Sequence, residues 1–257
     1  MIAMDNSLLL QLIIGILIGL SAGYVGSFMV LRKMSLVGDA LSHVALPGIA
    51  IALLMNINPF FGAFTALLLA ILIIWFLEKK TELPSETLVG IMFTLSLALG
   101  LLLTPEPELL EALSGDITKV TFFDLWLTLA LSMVIIWTLK RIADNLMLGI
   151  ISKELAMSLK IPIHKINFIF LFLAAFIVAL GIKVAGTMLT GSLVIIPAAA
   201  AKNISVNLSQ YSKWALIFGA LSAAAGLLSA SYFDISPGPT IILSAGMIFL
   251  GTLVFKK

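Results

Sequence analysis

Two side chains in the stretch "LRKMSLVGDALSHVALPGIAIALL" have types and a spacing suited to metal chemistry: Asp39 and His43. Placed at i and i+4, they share one face of a helix. The chain has only 2 histidines, and this one stands at the mouth of an apolar run. A carboxylate oxygen and an imidazole nitrogen make half of a site for a divalent transition ion such as Zn²⁺, Mn²⁺ or Fe²⁺. Two ligands do not close a site. A second copy of the chain, related by a two-fold axis, would bring the other two. The plainer reading has Asp39 capping the helix near the polar headgroups and His43 bonding a neighbour.

The elements that would hold such a pair are membrane helices. The 257 residues are 61% hydrophobic and only 11% charged, against roughly 25% charged in an average globular protein. Mean hydropathy is +1.19. Nine apolar segments are expected, near 7–31, 36–56, 58–78, 85–104, 121–140, 165–185, 188–203, 212–232 and 239–255. Each approaches the length of about 20 residues that crosses a bilayer. The stretch 188–203 is short and contains Pro197, so a broken or partly spanning helix is expected there, giving eight or nine spans in one transmembrane domain, 1–257. The first run, after "MIAMDNS", lacks a basic flank and is read as a retained span.

Charge placement orients these spans. Arg32, Lys33, Lys79, Lys80, Lys140, Arg141, Lys153, Lys160, His164, Lys165, Lys202, Lys213, Lys256 and Lys257 fall on one side of a nine-span arrangement. That side is cytoplasmic by the positive-inside rule, with the N-terminus outside. Lys119 and Lys183 are the exceptions. Lys183 either snorkels to the outer interface or neutralises an acid there. Glu86 reads as a helix-dipole partner at the start of the fourth span, Asp234 as an outer loop residue and His164 as a surface residue.

The longest polar segment is about 142–165, on the cytoplasmic side. Its middle reads as a short amphipathic helix. Ser152 is the expected N-cap of "SKELAMSLKIP", followed by Lys153 and Glu154. Leu155, Ala156 and Leu159 lie on one face, and Pro162 ends it. This is either an ordinary surface helix or a docking helix for a cytoplasmic partner. No phosphate-binding Gly-x-x-x-x-Gly-Lys-Ser/Thr loop occurs, nor a Gly-x-Ser-x-Gly elbow, nor a His-Glu-x-x-His helix. The chain is therefore not read as an enzyme. Any ATP hydrolysis driving it must come from another subunit. It has 0 cysteines, which excludes disulfides and thiolate ligands. Nothing suggests a nucleic-acid partner.

The segment around Asp39 and His43 resembles the hallmark segment of the zinc/manganese-type permeases of bacterial and archaeal ABC importers. So, in the same order, do "LVGIMFTLSLALGLLL", "ISKELAMSLKIPIHKINF", "IKVAGTMLTGSLVIIPAAAAK" and "SYFDISPGPTIILSAGMIFL". The resemblance runs from about residue 10 to the end. It implies an all-α polytopic permease of the type II importer kind, similar to the vitamin B12 and siderophore importer permeases. It also implies a homodimer in the cell membrane of a prokaryote, two cytoplasmic ABC ATPase subunits and an extracytoplasmic metal-binding protein that delivers the ion. The family's metal-path aspartate and histidine fall on Asp39 and His43, and its ATPase-coupling stretch on 151–164. The metal is cargo, with no permanently bound cofactor expected. Rival readings are a secondary metal transporter driven by an ion gradient, which usually carries an inverted repeat, a non-transporting membrane scaffold, and a carrier of organic chelates.

Overall fold

A segment in lipid must satisfy its own backbone groups, and the 26 residues from Asn6 to Leu31 do so as helix α1. A computed structural model of the chain describes residues 6–81, 83–103, 117 and 120–255, and every element described is an α-helix. Helices α2 (Val37–Val44) and α3 (Leu46–Leu54) form one 18-residue span. They are divided at Ala45, two residues before Pro47, which has no N–H to donate to the turn below. Next come α4 (Pro59–Thr81), α5 (Ser85–Leu103) and α6 (Phe122–Ile151). The short α7 (Lys153–Ser158) leads into α8 (Ile163–Ile204), α9 (Leu208–Phe233) and α10 (Pro237–Leu253).

A capping box starts α6. The Thr121 hydroxyl accepts from the Asp124 amide, and the Asp124 carboxylate accepts from the Thr121 amide at 2.7 Å. The helix then continues through 141–151, beyond the apolar run expected to end near 140. Its polar residues there end the span but not the helix.

Helix α8 has 42 residues, about 63 Å if straight, too long for one crossing. It breaks at Gly186 (φ 75, ψ 174), a backbone conformation that only glycine adopts without strain. A Cβ on Gly181 would lie 2.6 Å from Thr190 Cγ2, although nine residues span about 13 Å along a helix. The two halves therefore double back on each other. The break falls at Gly186 and not at Pro197, which sits inside the returning half.

Seven described helices are long and apolar enough to cross a membrane; the 17-residue α10 is a shorter apolar helix. Of α8, only Ile163–Ile182 is among these candidate spans; the returning half beyond Gly186 is not. The core is built on α1 and α8. Helix α1 packs against α6, α8 and α9, and α8 also touches α2, α4, α6, α9 and α10. At the middle of α1, Gly19 faces Gly219 of α9 so closely that a Cβ on either would meet the other's carbonyl.

The basic residues gather at one end of the bundle. Lys79 lies 3.5 Å from the Trp75 ring centroid, Lys80 4.6 Å from Phe76, and the Arg141 guanidinium 5.1 Å from Trp137. Cations over aromatic faces suit a headgroup region.

Candidate metal site and coupling segment

Asp39 and His43 lie on α2, both half-buried. Ser42, between them on the same face, is fully buried. Its hydroxyl is shared between the Asp39 carbonyl at 2.7 Å and the Thr187 carbonyl at 2.5 Å. Thr187 directly follows the break in α8. Four residues on, a Cβ at Gly191 would stand 2.6 Å from both Cα and N of Asp39. Only a glycine lets the returning half of α8 lie against the Asp39 backbone.

The histidine ring rests against Phe93 of α5, with centroids 5.4 Å apart. Its Nδ1 is buried and has no hydrogen-bond partner, and the Thr187 hydroxyl is likewise buried and unpartnered. A buried polar group without a partner typically costs about 1–3 kcal/mol. Two such groups flank the Ser42 bridge. Among the described residues no three His, Cys, Asp or Glu side chains cluster as a metal site. Within one chain Asp39 and His43 offer at most two ligand side chains here.

Depth follows from the packing of α1. Gly26 of α1 packs against Val194, about 10 Å toward the basic end from Gly19. Thr187 precedes Val194 by seven residues on a returning helix, again about 10 Å. Thr187 and Ser42 therefore come level with the middle of α1. A span count alone would leave Asp39 near the cytoplasmic end. The turn at 32–36 and the packing on α8 carry it deeper.

The short helix expected after Ser152 forms as α7. The Ser152 hydroxyl accepts from the Leu155 amide at 3.1 Å and caps α7. Ala156 is buried, whereas Leu155, Met157 and Leu159 are 47%, 55% and 57% exposed. The expected apolar face is thus split, with Ala156 packed inward and the leucines outward. Lys160 takes a left-handed φ of 56°, and Pro162 stands at the N-cap of α8. Glu154 lies in the first turn of α7; the Lys153 side chain is outside the described residues.

Between the ends of α1, α4 and α6 and the start of α8 lies a cleft of about 430 Å³, lined among others by Arg32, Lys33, Glu78, Asn145, His164 and Asn167. Sequence reasoning missed the network in it. Arg32 Nη2 donates to Asn167 Oδ1 at 2.7 Å, and Asn167 Nδ2 donates to Glu78 Oε1 at 3.3 Å. One amide thus joins the ends of α1, α4 and α8. Burial pulls the Arg32 guanidinium below its ordinary pKa, and the nearby Glu78 carboxylate opposes that shift.

The remaining polar residues singled out from sequence stay apart from the pair. His164 is exposed at the basic end. Glu86 is in the first turn of α5, as the dipole reading expects. Asp234 ends α9 in a left-handed conformation, its amide bonded to the Ala230 carbonyl. The side chain of Lys183 and all of Lys119 lie outside the described residues.

A bundle of apolar helices with a broken central helix and a half-buried acid–histidine pair defines a polytopic membrane transport protein. Residues 4–256 match the ABC 3 transport family, and the chain belongs to it. Among curated relatives, it is 33% identical to the high-affinity zinc uptake system membrane protein ZnuB of Haemophilus influenzae, covering 96% of each chain. It is 30% identical to the manganese transport system membrane protein MntC of Listeria monocytogenes, over 95% of this chain and 89% of that one. Among solved structures, PsaBC from Streptococcus pneumoniae in complex with Fab is similar, with a TM-score of 0.84, 30% identity and coverage of 96% and 91%.

Proposed function

We propose that this chain is the membrane-spanning permease subunit of an ATP-driven importer for a divalent transition metal ion, Zn²⁺, Mn²⁺ or Fe²⁺. The observation that carries this is the half-site on α2: Asp39 and His43 share a face at mid-depth, with the imidazole Nδ1 unpartnered. An ionisable pair at that depth is costly without a task. The relatives named for zinc uptake and manganese transport support the metal reading.

In this reading two copies meet so that Asp39 and His43 of each face a shared pathway, and an extracytoplasmic metal-binding protein delivers the ion. The pair holds it transiently. Binding is modest, because a conducting site must also release its ion. Cytoplasmic ATPase subunits dock on Ser152, Lys153, Glu154, Leu155, Ala156, Leu159 and Pro162. Exposed Leu155 and Leu159 suit such a contact. ATP binding there turns the pathway from outward-open to inward-open.

Radiometal uptake by proteoliposomes tests this. The vesicles hold the chain, its ATPase and its delivery protein, and Zn²⁺, Mn²⁺ and Fe²⁺ compete. Accumulation of one ion only with ATP on the cytoplasmic side is expected. Uptake that ignores ATP but follows a proton or sodium gradient would replace this reading with a secondary transporter.

A further inference from the structure

We infer that Ser42 is a positioning residue, the tie that makes the metal pair follow the movement of α8. The inference rests on the reading of Asp39 and His43 as the ion-holding pair. Ser42 stands between them on one face of α2, and its hydroxyl bonds the carbonyl of Asp39 and that of Thr187. The second bond leaves α2 for the first residue beyond the break at Gly186.

Helix α8 is also the segment that begins directly after the coupling helix. From Pro162 its first half runs unbroken to Gly186, mostly buried between α1, α4 and α6. A buried helix moves as a rod, because close-packed interiors transmit displacement rather than absorb it. Its displaced end is the break, where Ser42 is attached. Gly191 adds a second point of contact. Its missing side chain lets the returning half of α8 touch Cα and N of Asp39. Two attachments on one helix constrain rotation as well as distance. A shift of the α7 end of α8 therefore reorients α2, and with it the carboxylate and the imidazole. Ser42 is fully buried and contributes no ligand in this account; it acts through Asp39 and His43.

The distinguishing readout is the number of ions imported per ATP hydrolysed by the reconstituted complex. Equilibrium metal binding and the ATPase rate are measured beside it. Ser42→Ala is expected to bind metal within about two-fold of wild type and to retain most ATP hydrolysis. Its ions per ATP should fall at least five-fold. Gly191→Ala, which leaves the Ser42 hydroxyl in place but forces α8 away from Asp39, should show the same uncoupling. It also provides the test should Ser42→Ala not assemble. An unchanged ratio in both variants overturns the inference. So does a proportional loss of uptake and hydrolysis, which marks a structural role only. Asp39→Ala is run in parallel. Normal import by Asp39→Ala overturns the metal reading itself, whereas its inactivity beside normal ratios in Ser42→Ala and Gly191→Ala overturns the positioning role alone.

Discussion

Replacing Gly19 by alanine tests the close packing of α1 on α9. A Cβ at Gly19 would meet the Gly219 carbonyl, lying 2.8 Å from its carbon and 3.1 Å from Ala223 Cβ. A Cβ at Gly219 meets the Gly19 carbonyl in turn. The obstacle is backbone on both sides, so no side chain can swing away and α1 and α9 must part. Overpacking of this kind costs about 1–3 kcal/mol. For a chain of this size each kcal/mol lowers the unfolding midpoint by about 2–4 °C, so a fall of several degrees is expected. The Gly19→Ala, Gly219→Ala double variant should lose less than the sum of the two, since one methyl already opens the contact. Gly246→Ala is the control. Nothing lies within 4 Å of its Cβ, and alanine favours a helix by about 0.5–1 kcal/mol over glycine. Thermal unfolding of purified protein in detergent, followed by the loss of the monodisperse peak, measures all four. Wild-type stability in Gly19→Ala, or equal damage from Gly246→Ala, would refute the reasoning.

Three further outcomes are expected. Asn167→Leu removes the amide between Arg32 and Glu78 and should cost about 1.5–3 kcal/mol, the scale for hydrogen bonds to charged groups; the same melting assay reads it. Ser152→Ala removes the α7 cap, worth about 1 kcal/mol. Because α7 is short and exposed, ATPase affinity in a pull-down titration should weaken while the melting midpoint stays put. Thr121→Ala breaks the capping box of α6 at a similar cost of about 1 kcal/mol, detectable as faster hydrogen exchange at the start of α6.

Hydropathy made the seven long apolar spans and the shorter α10 legible, because lipid demands long apolar runs. It could not show where helices end. At 141–151 α6 leaves the apolar band but stays helical, and polarity there reports the surroundings rather than the backbone. Pro197 drew attention away from the real break. The deciding residue, Gly186, is one of 19 glycines, and only its φ of 75° sets it apart. The i, i+4 spacing made the Asp39–His43 pair visible. Its support was not, since Ser42 and Thr187 are 145 positions apart. Likewise Arg32 meets Asn167 across 135 positions. An arginine closing an apolar span reads first as an orienting charge, and its partner is set by how α8 folds back on the bundle.

The most direct test of the central claim is ATP-driven radiometal uptake by Asp39→Asn and His43→Gln, variants that keep side-chain size while weakening the ligands. The account predicts at least a ten-fold loss of uptake in each, with membrane insertion and ATPase assembly intact. Wild-type uptake by either variant would contradict it.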